Sequence, residues 1–176
     1  LASTIVKLSK SETLKTKANL MCTMNFGDES ILQSEKLIDR NVGWPDLNGL
    51  YVISSPCLYA GSCCAKTPRS DYRFPQNCDF VDPSSIVSYR PRSIFTLTEG
   101  ALKSRWANHF VTQHGDEVIG NYRYAFRRRV DLGTERSFTG ALIPPETIHT
   151  DQITAVSFKN SETLFAVTAV CLSIIS

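Results

Sequence analysis

The chain has 176 residues, 42% hydrophobic and 20% charged, a balance typical of a folded globular protein rather than of a disordered or fibrous one. No apolar run reaches roughly 18 residues and no secretory signal is evident, so the sequence predicts a cytoplasmic protein without a membrane partner. The 19 basic and 17 acidic side chains give a net charge of +2, which by itself is too small to indicate nucleic-acid binding.

The predicted elements are mostly short strands joined by long connections. A helix is predicted over residues 28–41, where Asp28 and Ser30 are candidate N-caps, and a second over 98–110. Residues 55–85 are rich in proline, serine and glycine and predict a long irregular segment. Apolar and β-branched runs predict strands over residues 5–8, 50–54, 86–89, 93–97, 122–130, 138–143, 153–158 and 163–171.

Together these elements predict an α+β fold with a mixed or antiparallel sheet, few helices and long loops. The length fits one domain over residues 1–176. The last residues lie inside an apolar stretch, and we interpret the chain as a domain excised from a longer one.

Six cysteines are present, and four of them lie between residues 57 and 78. A zinc site favours paired C-x-x-C spacing, whereas this segment has the adjacent pair Cys63 and Cys64, so we predict no metal site here. His109 and His114 are five residues apart and do not share one helical face, so a metal pair is not predicted there either. Partly buried, reduced thiols are the favoured interpretation.

Positive charge is concentrated in the middle of the chain. Residues 66–136 hold twelve basic and eight acidic side chains, a net charge of +4, and include every arginine except Arg40. Arginine suits bidentate contacts with phosphate and with guanine edges, although a solvated basic face is an equally good interpretation of the charge alone. Lys103 and Arg105 lie on the exposed side of the second predicted helix, and Arg69 and Arg73 lie in the long irregular segment.

The strand predicted over residues 122–130 is the clearest of all. Its aromatic residues alternate with the series Arg123, Ala125 and Arg127, so that one face would enter the core and the other would present guanidinium groups. We expect Arg123, Arg128 and Arg129 to face solvent, where they could meet phosphate.

A family motif begins in the same strand. Arg127 follows an aromatic residue, the sequence Thr134-Glu135-Arg136 comes after a short gap, and an apolar strand then ends in Ile143-Pro144-Pro145. This arrangement resembles the target-recognition (specificity) domain of large adenine-specific DNA methyltransferases, including type IIG restriction–modification enzymes and the PglX-like methylases of bacterial phage defence. Two positions depart from the family pattern: Arg128 stands where the family has an acidic residue, and Ser137 stands where it has threonine.

The resemblance implies that the domain recognises double-stranded DNA. The candidate DNA-binding residues are Arg69, Arg73, Lys103, Arg105, Arg123, Arg127, Arg128, Arg129 and Arg136. For Arg127 and Arg136 an equally good alternative is that each braces the fold by pairing with Glu135 or Asp131.

The resemblance also implies that catalysis belongs elsewhere. The family's glycine-rich methyl-donor site and its [N/D]-P-P-[Y/F/W] motif are not found, since Pro144-Pro145 lies between Ile143 and Glu146. We therefore predict that this chain is not an enzyme on its own and holds no cofactor. S-adenosylmethionine is expected in the catalytic domain of the parent methyltransferase, which would be a partner of this domain.

Two alternatives come from other functional classes. A small cysteine-dependent hydrolase or thiol enzyme could be built on the segment between Cys57 and Cys78, with His109 or His114 as its base. A protein-interaction module could use the apolar strand predicted over residues 163–171 to bind a partner.

Overall fold

The structure is a computed structural model. It describes residues 20–23, 27–43, 51–54, 66–74, 76–82, 84, 92–98, 118, 120–129 and 140–173. The strands in this part of the chain are β1 (Leu20–Thr23), β2 (Ile38–Gly43), β3 (Tyr51–Ile53), β4 (Lys66–Pro68), β5 (Cys78–Phe80), β6 (Ser93–Leu97), β7 (Arg123–Arg127), β8 (Gly140–Ile143), β9 (Thr147–His149) and β10 (Ile153–Phe158). The helices in the same described ranges are α1 (Glu29–Ser34) and α2 (Ser161–Ser173).

The largest sheet has four antiparallel strands in the order β1-β10-β7-β8. Among the residues that the structure describes, three two-stranded sheets accompany it: β2 with β6 and β4 with β5 are antiparallel, whereas β3 with β9 is parallel. These elements confirm the predicted α+β class with few helices. Within the described residues, no helix is long and apolar enough to cross a membrane.

Helix α1 is shorter than its sequence pattern predicts. It begins as expected, because the Asp28 carboxylate accepts hydrogen bonds from the backbone N–H groups of Ser30 and Ile31. It ends at Ser34, where Lys36 adopts a left-handed φ of 56° and the N–H of Leu37 donates to the carbonyl of Leu32, 2.9 Å away. That closure is a Schellman motif, which ends the helix. The residues that follow form β2 instead of the second half of the predicted helix.

Residues 55–85 are not wholly irregular, which corrects the prediction of a long loop. Strands β4 and β5 pair with Lys66 opposite Phe80 and Pro68 opposite Cys78. Tyr72, in the connection between the two strands, is buried in the core. The part of this segment that the structure describes is therefore a β-hairpin anchored on the protein interior.

The C-terminal segment predicted as a strand over residues 163–171 is instead α2. The side-chain oxygen of Asn160 accepts a hydrogen bond from the N–H of Glu162 at 2.8 Å, which caps the new helix. Leu164 and Thr168 are buried and Cys171 is half-buried, and these positions share one face of a helix. The strand prediction was wrong because the same residues also fit a period of two.

In the described part of the chain, three buried clusters hold the sheets and helices together. Leu32, Ile38 and Phe95 belong to the first, which lies beneath α1, β2 and β6. The second joins Ile53 of β3 to one face of the four-stranded sheet, and the third lies between the opposite face and α2. The four-stranded sheet is thus covered on both sides, so β7 does not present one face to solvent as predicted.

Other predictions are confirmed or lie outside the described residues. The strands predicted over 50–54, 93–97, 138–143 and 153–158 correspond to β3, β6, β8 and β10. The strands predicted over 5–8 and 86–89 lie outside the described residues, as does the body of the helix predicted over 98–110. Strands β1 and β9, like β2, β4 and β5, lie where no strand was predicted.

Candidate nucleic-acid interface

Strand β7 carries the arginine-rich segment in the interior of the four-stranded sheet. It pairs with β8 on one side and with β10 on the other. After the strand ends, the N–H of Arg128 donates to the carbonyl of Gln152 at 2.9 Å, so the backbone stays fixed beyond Arg127. We call Arg127, Arg128 and Arg129 the arginine run. The fold therefore fixes the backbone where this run begins.

Arg123 lies at the start of β7 and is completely buried, so the expectation that it faces solvent is wrong. It shares a face of the sheet with Ala125, and that face packs against Ile53 of β3. Its Nη2 donates to the carbonyl oxygen of Thr147 in β9. DNA cannot reach a side chain enclosed in this way, and the role of Arg123 in this structure is internal.

The surroundings of Arg123 compensate little of its charge. Its Nε and Nη1 atoms find no hydrogen-bond partner among the described residues. Burial lowers the pKa of Arg123 to about 10, because a charged guanidinium is costly outside water. Burial also lowers the pKa of His149 to about 4, and the nearby charge of Arg123 adds to that shift, so His149 is neutral near pH 7.

The end of the arginine run has the opposite environment. Arg127 is half-buried, whereas Arg128 and Arg129 are exposed. None of the three makes an ion pair with any residue that the structure describes. Arg128 and Arg129 thus face solvent, as predicted, and their contact with an anionic ligand stays a prediction.

The two candidate arginines of the hairpin differ from each other. The guanidinium of Arg69 makes a two-pronged contact with the Asp71 carboxylate, at 3.0 Å from Nε and 3.2 Å from Nη2. The exposed side chain of Arg73 has no such partner in the described part of the chain. Arg73 remains a candidate for phosphate contact, whereas Arg69 is already engaged in the hairpin.

Two further arginines hold the hairpin in place, and sequence reasoning missed both. Arg40 of β2 donates from Nη2 to the carbonyls of Tyr72 and Arg73 and lies 6.0 Å from the centre of the Tyr72 ring. Arg92 donates to the Pro68 carbonyl at 3.4 Å. Their roles depend on contacts between residues far apart in the chain, and no local signal in the sequence could have indicated them.

Exposed aromatic rings are the second feature that sequence reasoning missed. Phe80 is 82% exposed and Phe74 is 59% exposed, and both belong to the hairpin. The ammonium group of Lys66 lies 4.8 Å from the centre of the Phe80 ring. A phenylalanine inside a strand ordinarily predicts a core residue, so exposure of this kind is found only from the structure.

Several predicted residues lie outside the described part of the chain. These are Lys103, Arg105 and Arg136, together with Asp131 and Glu135, the proposed bracing partners. The thiol-enzyme alternative is in the same position, because Cys57, Cys63, Cys64, His109 and His114 lie outside the description. All of these remain predictions.

Two of the cysteines in the described part of the chain do not resemble activated nucleophiles. Cys78 and Cys171 are half-buried and make no disulfide. Burial raises the pKa of both thiols, whereas a reactive cysteine needs a lowered pKa. Among the described residues, no group of three His, Cys, Asp or Glu side chains is arranged to hold a metal ion.

Helix α2 bears on the third alternative, a protein-interaction module. Three large apolar side chains on it are about half exposed: Phe165, Val170 and Leu172. The binding element predicted for this alternative was a strand, and the structure makes it a helix. The alternative itself remains a prediction.

Comparison with known proteins adds no relative to this picture. No family model, no curated protein and no solved structure matches the chain.

Proposed function

We propose that this chain binds double-stranded DNA through the arginine run that follows β7. The observation that supports the proposal most directly is that Arg128 and Arg129 are exposed and without carboxylate partners among the described residues. Arg127 extends the same cationic segment as a half-buried residue. Phosphate contacts from such arginines set the position of a protein on a duplex.

Backbone anchoring strengthens this proposal. A flexible cation loses side-chain and backbone entropy when it binds, whereas a residue fixed next to a sheet has already lost part of it. The hydrogen bond from Arg128 to Gln152 joins the run to β10 immediately after the strand ends. The run is therefore suited to contact a rigid ligand such as a duplex.

We further propose that the domain recognises the target of an adenine-specific DNA methyltransferase of a bacterial restriction–modification or phage-defence system. This step rests on the resemblance of residues 122–145 to that family. Methyl transfer with S-adenosylmethionine would belong to a separate catalytic domain, and the site of action would be the cytoplasm. Arg69, Arg73, Lys103, Arg105 and Arg136 remain additional candidates for DNA contact, whereas burial removes Arg123 from the surface.

A binding titration with charge-reversal variants tests the proposal. Arg128→Glu and Arg129→Glu should each weaken binding to a duplex of about 20 base pairs by about tenfold at about 50 mM salt, for all sequences alike. Lys36→Glu, at an exposed lysine after α1, makes the same change in net charge and should have less than about a twofold effect. Failure of the unmodified chain to bind duplex at low salt would overturn the proposal. Equal losses in all three variants would also overturn it.

A further inference from the structure

The β4–β5 hairpin exposes two phenylalanine rings that a folded protein would ordinarily bury. Phe80 is 82% exposed and Phe74 is 59% exposed. Exposing such rings to water gives up the free energy that their burial would contribute. Scattered single apolar residues need no explanation, but two large rings on one short hairpin indicate a binding surface.

The hairpin is held rigidly enough to present these rings. Pro68 is buried, and Tyr72 packs in the core. Phe74 is fixed by Asn77, whose side chain accepts its N–H at 3.1 Å and whose own N–H donates to its carbonyl at 2.8 Å. The backbone carrying Phe80 is paired with β4 at Lys66. The geometry of the surface is thus set before any ligand arrives.

Cationic groups accompany the rings. The ammonium of Lys66 lies 4.8 Å from the centre of the Phe80 ring. Arg73, the residue before Phe74, is exposed. A base that stacks on Phe80 would therefore have its own phosphate close to a positive charge. This is the charge complementarity expected for a nucleotide.

The carboxylates of the hairpin are occupied locally. Asp71 is paired with Arg69, and Asp79 lies 3.9 Å from Nη1 of Arg92. Asp82, after β5, accepts hydrogen bonds from the backbone N–H and the hydroxyl of Ser84. Each of these three carboxylates thus has a contact of its own, and the attraction for an anion at Phe80 comes from the position of Lys66 beside the ring rather than from the net charge of the hairpin.

We propose that the β4–β5 hairpin binds an unpaired DNA base, which stacks on Phe80 while Lys66 contacts its phosphate. Aromatic rings interleaved with cations recognise single-stranded nucleic acid without selecting its sequence, because every base has a face that can stack. Resting on the proposed function, the hairpin would receive a base from DNA that has been opened for modification.

Anisotropy titrations of the full 176-residue chain with a labelled single strand of about 12 nucleotides test this proposal. Phe80→Ala should weaken binding by about tenfold, and Phe80→Leu, which has no ring, should behave in the same way. Phe80→Tyr should restore the affinity. Phe165→Ala, at a half-exposed ring on α2, is the matched control and should bind as the unmodified chain does.

Lys66→Gln supplies a second measurement that does not depend on the ring. Removal of one phosphate contact should lower the slope of log affinity against log salt by about 0.7 for a single strand. An unchanged slope would overturn the assignment of Lys66. Equal affinity of Phe80→Ala and the unmodified chain for the single strand would overturn the stacking role, as would a strong preference for RNA of the same sequence over DNA.

The same strand annealed to its complement separates the two proposals. Phe80→Ala should bind this duplex normally, whereas Arg128→Glu should bind it weakly. Duplex binding without dependence of single-strand binding on Phe80 would overturn this inference alone. Single-strand binding that depends on Phe80, without any duplex binding, would support the stacking surface and overturn the proposed function.

Discussion

The arginine run of β7 and the β4–β5 hairpin are both cationic, but their arginines have different surroundings. In the hairpin, Arg69 pairs with Asp71, and Asp79 lies near Arg92, the residue before β6. In the β7 segment, Arg123 is enclosed and Arg128 is exposed, and neither has a carboxylate partner among the described residues. The number of arginines in a segment therefore says little about how much positive charge it offers to a ligand.

Packing separates the two regions as well. The four-stranded sheet is covered on both faces: Ile53 of β3 and, at Arg123, Thr147 of β9 lie on one side, and α2 lies on the other. The hairpin contacts the core through residues such as Tyr72 but leaves Phe80 in solvent. We expect substitutions in the sheet to act mainly on stability and substitutions on the outer surface of the hairpin to act mainly on binding.

The largest expected effect on stability tests the tight packing of the sheet. A Cβ added at Gly140 would lie 2.5 Å from the hydroxyl oxygen of Tyr124 and 2.6 Å from the backbone oxygen of Ala125. Because the backbone has to move, Gly140→Ala should lower the free energy of unfolding by about 3 kcal/mol in chemical denaturation. Gly43→Ala, in β2, is the matched control.

A Cβ at Gly43 would meet no atom within 4 Å, so Gly43→Ala should leave stability within about 1 kcal/mol of the unmodified chain. Similar stabilities for the two variants would show that the four-stranded sheet can yield at Gly140. Packing would then not distinguish the four-stranded sheet from the exposed surface of the hairpin.

A second prediction concerns pH and the covered face of the sheet. Burial lowers the pKa of His149 from 6.5 to about 4. Between these values the unfolded chain binds more protons than the folded one, so stability falls as the pH falls through this window. From about pH 7 to about pH 5, the unmodified chain should lose about 2 kcal/mol more than His149→Gln in denaturation experiments.

Other groups change protonation in the same range, and the comparison with the variant removes their contribution. Burial raises the pKa of Glu29, which favours the folded state as the pH falls and so acts in the opposite direction. The two chains share Glu29, and the difference between them reports His149. Parallel stability curves would mean that the His149 ring reaches solvent.

The fold was predictable where a local signal had a single interpretation. Asp28 marks the start of α1, and a run of apolar and β-branched residues predicts β3. The prediction failed where one apolar run fits two periods, as in residues 28–41 and 163–171. The outcome there was decided by a single residue at each boundary: Lys36 in a left-handed conformation for the first and Asn160 as a cap for the second.

The residues of the candidate site could be predicted from the sequence, but which of them face solvent could not. The alternation along β7 correctly places Arg123 and Ala125 on one face of the sheet and Tyr124 on the other. It cannot show that both faces of the sheet are covered. That covering comes from β9 and α2, which lie later in the chain. The exposure of Phe80 likewise cannot be predicted from the sequence, because it depends on which elements pack against β5.

The smallest expected effect concerns the buried guanidinium itself. Arg123→Met keeps most of the side-chain volume and removes a buried charge that has one hydrogen bond, to Thr147, among the described residues. Replacement of an uncompensated buried charge by an apolar side chain is neutral or favourable, so the variant should be more stable by about 1 kcal/mol. Arg128→Met, at an exposed position, should change stability by less than about 0.5 kcal/mol.

The two variants should also differ in their affinity for duplex DNA. Arg123→Met should bind duplex DNA as the unmodified chain does, because Arg123 is enclosed, whereas Arg128→Met should bind more weakly. A loss of about 2 kcal/mol or more in Arg123→Met would mean that its charge is compensated by groups outside the described residues. Arg123 would then resemble Arg69 of the hairpin, and the difference between the two regions would be reduced to the exposed end of the run.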